Sequence, residues 1–344
     1  MLYLPLTGVG HYVSQLRAAL RARTADVTVD GFLSDRLRWK LPEREHAATP
    51  DARPRTASPG AGKSAGRRAK AWARSLLKWP FQLAFGFAAR KYDVYHEPNH
   101  IPIRSRAVTV TTVHDLSVLV HPDWHPADRV RWYDRDFTAG VRQTTRFIAA
   151  SQYTRGEMVR RLGIPADRID VTYQAPRATF RPCPREQARR LVASLDLPER
   201  FLLFVGTLEP RKNIVGLLEA FAELPAAVRR STPLVLAGGW GWKMETLPDS
   251  LRQHGLLNDT RLVGYQTDES LAALYALCTS LVWPTFYEGF GLPPLEAMSC
   301  GAPVMSSTTT SIPEVVGDAG VLLDPTDVPA WTEAMRRMCE DDAW

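Results

Sequence analysis

Short apolar runs alternate with helical patterns along most of this chain, and that alternation limits the possible folds more than any other feature. Runs typical of buried strands begin at Phe201, Pro233, Arg261, Ser280, Pro303 and Gly320. In the N-terminal half, residues 107–113, 145–150 and 168–173 are predicted strands, and residues 152–162 are a predicted helix. Strands that alternate with helices are typical of parallel sheets covered by helices. We therefore predict an α/β protein.

The chain has 344 residues, enough for two domains of ordinary size. Between Ala175 and Pro184 three prolines interrupt the alternating pattern, which is typical of a linker between domains. We predict an N-terminal domain over residues 1–176 and a C-terminal domain over residues 177–344.

The strongest functional signal is the sequence EGFGLPPLE, from Glu288 to Glu296. Its glycines allow the backbone to approach a ligand closely, and its prolines suit the first positions of a helix. Unpaired amides at such a helix start attract an anion. The amides concerned belong to Gly289, Phe290, Gly291 and Leu292. The two glutamates can accept hydrogen bonds from hydroxyl groups, and an anion beside hydroxyls describes a nucleotide sugar. Taken alone, ordinary helix punctuation explains the segment about as well.

A second loop indicates the same kind of ligand. An apolar run from Phe201 to Gly206 is followed by TLEPRKN and then by a predicted helix over residues 214–224, with Asn213 as its N-cap. Arg211 and Lys212 would thus lie at a helix N-terminus, where the dipole disfavours a cation by a few tenths of a kcal/mol, up to about 1. Both side chains are suited to phosphate oxygens. The alternative is a solvated pair of surface cations.

Five segments together resemble a known family. GTLEPRKN, LVLAGGWGW, RLVGYQTDESLAALYALC, EGFGLPPLEAMSCGAPV and SIPEVVGDAGVLLDP occur in this order. Their order and spacing resemble family 4 of the retaining glycosyltransferases. Shorter N-terminal resemblances lie at residues 7–12, 95–98, 112–116 and 150–152. The resemblance implies the GT-B architecture, in which two Rossmann-like parallel-sheet domains face a central cleft.

The resemblance also implies a set of site residues. The catalytic residues implied are His114, Glu288, Arg211 and Lys212. The donor-binding residues implied are Gly8, Gly10, Tyr265, Gly289, Phe290, Gly291, Leu292 and Glu296. Less specific similarities place Asp268 and Glu269 near the base, and Glu314 on the nucleotide side.

Each implied residue has an expected role. His114, after a predicted strand, would position a hydroxyl of the reacting sugar, although a structural His–Asp pair is an alternative. Glu288 would hold the transferred sugar, and Glu296, expected in the first helical turn, would hold the ribose. Gly8 and Gly10 are expected in a turn after a first strand, where the donor phosphate or the acceptor is met.

The implied reaction is transfer of a hexose from a nucleotide diphosphate sugar to a hydroxyl of a glycan or lipid-linked acceptor in surface-polysaccharide synthesis, with retention of configuration. Mannose from GDP-mannose is the first expectation and a UDP-hexose the second. Two alternatives stay open. One is a nucleotide-sugar hydrolase or epimerase on the same fold, and the other is a non-catalytic module that binds a polyanion.

We expect no cofactor and no metal. Asp134 and Asp136 spell the DxD of metal-dependent glycosyltransferases, but they fall in a helical stretch rich in Arg and Trp, and we interpret the match as chance. Cys183, Cys278, Cys300 and Cys339 lack the spacing of a metal site or a disulfide framework.

The net charge of +6 is concentrated in residues 53–80, which carry many Lys and Arg and two Trp. This composition suits an anionic membrane surface, and a solvated basic helix is the alternative. The stretch GAGKS at 60–64 lacks the spacing of a phosphate-binding P-loop, and no nucleic-acid partner is expected. Neither a signal peptide nor a membrane span is evident, so we expect a cytoplasmic protein, with peripheral contact at the inner face of the membrane. By comparison with the family, the chain is expected to lack part of its first strand and its final crossover helix.

Overall fold

The structure, a computed structural model, describes residues 8–23, 27–31 and 83–341. The basic stretch at residues 53–80 lies outside these ranges. Contacts group the chain into two compact units. The first takes its described residues from 1–113, 133–148 and 167–170, and the second from 114–132, 149–166 and 171–344. The domain boundary between residues 176 and 177 stays a prediction. Within the described ranges, no helix is long and apolar enough to cross a bilayer.

The N-terminal half contains a four-stranded sheet with the order β1-β2-β3-β4. Its strands are β1 (Val94–Glu97), β2 (Val108–Val113), β3 (Arg146–Ala149) and β4 (Ile169–Val171). Its helices are α1 (Gly8–Ala22), α2 (residues 83–89), α3 (Ser117–Val120), α4 (Ala127–Gln143) and α5 (Gln152–Leu162). β1 and β2 pair in parallel. The three strands and the helix predicted for residues 107–173 are confirmed, with strand ends shorter by one or two residues.

Gly8 and Gly10 do not form the predicted turn, because α1 begins at Gly8 and includes both residues. The first amides of a helix have no intrahelical partner in any case, so the first turn tolerates glycine well. Gly10 is buried, and the hydroxyl of Tyr12 lies 3.1 Å from Thr112 Oγ1 of β2. The side-chain contact fixes the start of the helix against the sheet.

The second unit is built on a six-stranded parallel sheet. Its strands are β5 (Leu202–Val205), β6 (Leu234–Ala237), β7 (Thr260–Gly264), β8 (Ser280–Trp283), β9 (Val304–Ser307) and β10 (Val321–Leu323). Its helices are α6 (Arg185–Leu191), α7 (Ile214–Ala222), α8 (Ala226–Ser231), α9 (Leu247–Gln253), α10 (Asp268–Leu277), α11 (Leu292–Ser299), α12 (Ile312–Val316) and α13 (Val328–Glu340). All six strands predicted for this half are confirmed.

The strand order of this sheet reverses beside β5. The order is β10-β9-β8-β5-β6-β7, so the chain runs outward from β5 to β7, returns to β8 and then runs outward in the opposite direction. In open parallel sheets, ligands bind beyond the carboxyl ends of the strands at such a switch point. The loops after β5 and β8 carry Arg211, Lys212 and Glu288, three of the implied catalytic residues.

The core beneath this point is apolar and close-packed. Every residue of β5, β6 and β8 is buried, and Trp283, at the end of β8, is among the largest fully buried side chains. Its indole Nε1 donates to the carbonyl oxygen of Val205 at 2.8 Å, so the one polar atom of the ring is satisfied. The ring also supports the site, since Lys212 Nζ lies 4.4 Å from its centroid.

Two adjacent glycines test how closely the strand ends pack. Gly238 has φ +154°, and a Cβ there would lie 1.9 Å from the carbonyl oxygen of Gly206, whereas a Cβ on Gly239 would meet nothing within 4 Å. We expect Gly238→Ala to lower the free energy of unfolding by about 2 kcal/mol or more, since backbone must shift. Gly239→Ala, the matched control, should leave stability within about 0.5 kcal/mol of the wild-type value. Urea unfolding measures both, and equal midpoints for the two variants would contradict this packing.

Candidate active site

Arg211 and Lys212 lie in a short 3₁₀ turn, Pro210–Lys212, that links β5 to α7. Asn213 follows with φ 54° and ends the turn before the helix begins. Its side chain does not cap the helix as predicted. Asn213 is in the left-handed conformation, and its Nδ2 donates instead to the carbonyl oxygen of Pro325 at 2.7 Å.

The two cations share one buried carboxylate. Glu288 Oε2 lies 2.7 Å from an Arg211 guanidinium nitrogen, and Glu288 Oε1 lies 2.5 Å from Lys212 Nζ. Thr285 Oγ1 also donates to Oε1 at 2.9 Å. A second buried carboxylate, Glu209, lies 2.6 Å from Arg211 Nε. The arrangement brings two cations and two anions together, so the charges balance before any ligand binds.

The pKa values follow from burial and from these charges. Burial alone would raise the pKa of Glu288, but Arg211 and Lys212 outweigh it and hold the pKa below its usual value. Burial would lower the pKa of Arg211, and the carboxylates of Glu288, Glu209 and Asp115 raise it instead. The pKa of Lys212 is lowered by burial and by Arg211, against the opposing effect of Glu288. Lys212 is therefore the cation that a further anion would stabilise most.

Hydroxyl groups hold the glycine loop that follows Glu288. Thr310 Oγ1 accepts from the Glu288 amide at 3.0 Å. Ser311 Oγ lies 2.9 Å from the carbonyl oxygen of Glu288 and 2.8 Å from that of Phe290. The backbone of the loop is thus fixed on its carbonyl side.

The opposite side of the loop packs on two segments from earlier in the chain. Thr154 Oγ1 donates to the carbonyl oxygen of Gly289 at 3.1 Å. A Cβ on Gly289 would lie 1.7 Å from the carbonyl oxygen of His114, so only glycine fits there. His114 itself is buried, and its Nδ1 lies 3.3 Å from Gln174 Nε2. The structure therefore brings the backbone of His114 and the glycine loop together.

The amides of the loop are available for a ligand. Helix α11 begins at Leu292, after Gly291 with φ 121°. Within the described part of the chain, no group accepts a hydrogen bond from the amides of Gly289, Phe290, Gly291 or Leu292. These amides lie at the positive end of the helix, where an anion is favoured.

Glu296 lies in the second turn of α11, not in the first turn as predicted, because the helix starts only at Leu292. It is 5% exposed, and burial, opposed by Arg177, raises the pKa of its carboxyl to about 7. Arg177 bridges two carboxylates, at 3.1 Å from Glu296 Oε1 and 2.9 Å from Asp268 Oδ2. The Tyr275 hydroxyl donates to Glu296 Oε2 at 3.3 Å. Sequence reasoning missed Arg177, which lies in the proline-rich stretch assigned to a linker and carries no local signal.

The remaining implied residues have other surroundings. The carboxylate of Glu314 accepts from the amides of Gln152 and Tyr153 at 2.8 and 2.7 Å and thereby caps α5. Tyr265, directly after β7, is 53% exposed. Gly8 and Gly10 belong to the first unit.

Asp134 and Asp136 lie on helix α4, where Asp136 pairs with Arg135 at 2.7 Å. The described residues contain no group of three or more His, Cys, Asp or Glu side chains that could hold a metal ion.

Comparison with known proteins agrees with this geometry. Residues 6–175 match the model of Glycosyltransferase Family 4, and residues 188–343 match that of Glycosyl transferases group 1. The O-antigen chain mannosyltransferase B of Escherichia coli is 39% identical over 78% of this chain and 71% of the relative. The chain belongs to glycosyltransferase family 4. It is thus a glycosyltransferase.

Other relatives of this glycosyltransferase are longer. The serotype-specific mannosyltransferase WbdA of Escherichia coli is 34% identical over 69% of this chain, but the chain matches only 30% of its length. Among solved structures, WaaG, a glycosyltransferase involved in lipopolysaccharide biosynthesis, has a TM-score of 0.67 at 18% identity, over 98% of this chain and 88% of WaaG. Anabaena HepE in complex with UDP and glucose has a TM-score of 0.62 at 20% identity, over 76% and 72%. These similarities confirm the predicted fold class of two parallel-sheet α/β units, as in GT-B glycosyltransferases.

The raised pKa of Glu296 predicts a pH-dependent stability. The pKa is about 7 in the folded protein against a reference of 4.5, so this group stabilises the fold fully below about pH 4.5 and ceases to do so as the pH rises through about 7. The glutamine side chain of Glu296→Gln does not titrate, so the variant does not lose this stability as the pH rises. We expect the stability of the variant relative to wild type to increase by about 3 kcal/mol between pH 4.5 and 8. Urea unfolding at several pH values measures the difference, and parallel curves would contradict the shifted pKa.

Proposed function

We propose that this glycosyltransferase moves mannose from GDP-mannose to a hydroxyl of a glycan or lipid-linked acceptor, with retention of configuration. The observation that carries the proposal is the buried Arg211–Lys212–Glu288 cluster beside the free amides of the glycine loop, at the switch point of the second sheet. Cations that lie beside unpaired amides suit a diphosphate.

The cluster can perform the chemistry that departure of a diphosphate requires. Negative charge develops on the phosphate as the glycosidic bond breaks, and preorganised cations and amides stabilise that charge without further rearrangement. Arg211 and Lys212 are already held by Glu288, so little entropy is lost when they meet the phosphate. We assign no cofactor and no metal to the reaction, because these groups supply the positive charge.

Glu288 and Glu296 would serve the two ends of the donor. Glu288, held ionised next to the phosphate-binding cations, would accept from a hydroxyl of the transferred sugar. Glu296, four residues into α11, would accept from the ribose, and Tyr265 with the glycine loop would complete the donor site. His114, whose backbone packs on Gly289, would position the reacting sugar. In the first unit, Gly8 and Gly10, at the start of α1, would meet the acceptor or the donor phosphate.

The names of the relatives support mannose. The O-antigen chain mannosyltransferase B and WbdA are both mannosyltransferases, at 39% and 34% identity. A UDP-hexose is the second donor to test.

We further propose that the reaction takes place in the cytoplasm, with peripheral contact to an anionic membrane through the basic residues 53–80.

A nucleotide panel tests this function. Thermal unfolding is followed with GDP, UDP and ADP at one common concentration, since a ligand present at about 100 times its dissociation constant stabilises by about 2.7 kcal/mol and a weaker ligand at that concentration stabilises less. We expect GDP to give the largest increase in melting temperature.

A second experiment measures sugar transfer. GDP-[¹⁴C]mannose is supplied with and without a mannan oligosaccharide acceptor. Label transferred to the acceptor supports the proposal, whereas free mannose formed at the same rate in both reactions would identify a hydrolase.

Removing the Lys212 charge should affect the diphosphate selectively. We expect Lys212→Met, which keeps the apolar stem over Trp283, to weaken binding of GDP by roughly 10- to 150-fold, because a charge-assisted hydrogen bond is lost. Binding of guanosine, which has no phosphate, should change much less. Lys91→Met removes an exposed lysine of the first unit and serves as the matched control. Isothermal titration calorimetry gives all these affinities. An equal loss for guanosine and GDP would show that Lys212 does not contact phosphate.

A further inference from the structure

Arg177, in the chain segment between β4 and α6, faces two carboxylates of the second unit. Its Nη2 atom lies 3.1 Å from Glu296 Oε1 of α11, and its Nε atom lies 2.9 Å from Asp268 Oδ2 of α10. Nε is not aligned for a hydrogen bond with any described residue, so the pairing with Asp268 acts through charge. The side chains of Arg177, Asp268 and Glu296 are 13%, 23% and 7% exposed. The three charges therefore form a partly buried cluster that is most open at Asp268.

Apolar packing holds the Arg177 guanidinium in place. The guanidinium lies over the ring of Phe180, 4.7 Å from the centroid, and Phe180 is itself buried. The Phe180 amide donates to the carbonyl oxygen of Arg177 at 2.9 Å, which closes a turn between the two residues. Phe180 also packs edge-on against Tyr275, whose hydroxyl donates to Glu296. The phenylalanine ring thus supports both side chains that flank the glutamate.

The two carboxylate oxygens of Glu296 have different surroundings. Oε2 accepts from the Tyr275 hydroxyl at 3.3 Å. Oε1 accepts no hydrogen bond from any residue that the structure describes, and it is not sealed from solvent. A carboxylate oxygen has two lone pairs, so Oε1 can accept from the hydroxyls of a ligand while Arg177 lies beside it. Oε1 is therefore the atom of Glu296 that a ribose would reach.

The charge of Arg177 also affects how readily Glu296 ionises. The pKa of the Glu296 carboxyl is about 7, because burial raises it, Arg177 lowers it, Asp268 raises it and the Tyr275 hydroxyl lowers it. Cys300 faces the carboxyl as well, and burial with the Glu296 charge raises the pKa of its thiol to about 11, so the thiol stays neutral. Without Arg177 the carboxyl would stay protonated to a higher pH. An ionised carboxylate binds hydroxyls more strongly than a neutral carboxyl does.

We propose that Arg177 is a positioning residue of the donor site, which keeps Glu296 an acceptor for the ribose hydroxyls of the nucleotide. The inference rests on the proposed function, because it requires a nucleotide whose ribose lies at Glu296. Arg177 acts through the glutamate and not on the ligand. Its effect should therefore appear in the preference for a ribose over a sugar without hydroxyls, and in the pH dependence of that preference.

The test compares GDP with 2′,3′-dideoxy-GDP, which has the same base and diphosphate but no ribose hydroxyls. The ratio of the two dissociation constants isolates the hydroxyls, because the diphosphate titrates in both ligands alike. Isothermal titration calorimetry gives this ratio from about pH 5.5 to about pH 8.5 for the full-length wild type, Arg177→Met, Arg177→Lys and Asp268→Asn. UDP and 2′,3′-dideoxy-UDP are measured in parallel.

Arg229→Met is the matched control. Arg229 is 16% exposed and pairs with Asp259 at 2.9 Å, so the substitution removes a partly buried arginine from an ion pair, as Arg177→Met does. Asp259 directly precedes β7, at the opposite edge of the parallel sheet from the glycine loop. A loss of folding stability is therefore common to both variants, whereas an effect on Glu296 belongs to Arg177→Met.

In the wild type we expect GDP to bind more tightly than dideoxy-GDP by roughly 10- to 150-fold at high pH and by about 2- to 12-fold at low pH, because charge-assisted hydrogen bonds are stronger than neutral ones. The midpoint should lie near the Glu296 pKa of about 7. Arg177→Met should raise the midpoint by about 1 to 3 pH units, whereas Asp268→Asn should lower it, because a charge that opposes ionisation is removed. Arg177→Lys should restore most of the change, and Arg229→Met should keep the wild-type midpoint.

Three results would overturn the inference. One is an Arg177→Met protein whose ratio follows the wild-type pH curve. Another is an equal loss of affinity for both ligands in Arg177→Met with an unchanged midpoint, which would make the residue structural. The third is a wild-type protein that binds GDP and dideoxy-GDP equally well, and mannose transfer by that protein would leave the proposed function standing. A wild-type protein that binds no nucleotide would refute the proposed function itself, and this inference with it.

Discussion

The buried ion pairs between Glu288 and the two cations are the interaction on which the second unit's site depends. Removing one partner from such a cluster leaves an uncompensated buried charge, so each of the three residues requires the others. The cluster also joins the loops after β5 and β8, which are connected by backbone as well, since the Phe286 amide donates to the carbonyl oxygen of Arg211 at 2.8 Å. The ring of Trp283, on the strand that leads into the second loop, packs against Lys212 of the cluster. A diphosphate would therefore meet cations whose positions the fold has already fixed.

Chain segments distant in sequence complete this preorganisation. Residues 114–132 and 149–166 precede the six-stranded sheet in the chain, yet they pack in the same compact unit as the sheet. The carbonyl oxygen of His114 touches Gly289, and the Leu116 amide lies 3.3 Å from the Tyr287 hydroxyl. Thr154 contacts Gly289 from the start of α5, the helix that Glu314 caps. The shape of the glycine loop thus depends on segments that local sequence analysis treats as unrelated.

The sequence predicts every described strand except β1, the helices α5, α7 and α11 and the loops that carry the site, because burial along a strand or a helix has a period that one sequence displays. The switch point follows from the order of the strands, and that order needs the structure. The sequence could not reveal that Glu288 is the counterion of Arg211 and Lys212, since 76 positions separate Lys212 from Glu288. Arg177 was missed for the same reason, because its partners Asp268 and Glu296 are brought to it by the fold. Asn213 was assigned from its residue type and Gly8 from a resemblance, and the backbone conformation decided otherwise.

Glu288 and Glu296 show how surroundings separate two residues that the sequence presents as a matched pair. Both carboxyls are buried, and burial pushes the pKa of each upward. At Glu288 two cations within hydrogen-bonding distance overcome that effect, so the group is a permanent anion that fixes the phosphate-binding side chains. At Glu296 a single arginine is shared with Asp268, burial prevails, and the carboxyl titrates near pH 7. A glutamate thus provides a fixed charge at one end of the glycine loop and a hydrogen-bonding group of variable protonation at the other. The reason is that Glu288 has two positive neighbours, whereas Glu296 shares its one arginine with Asp268.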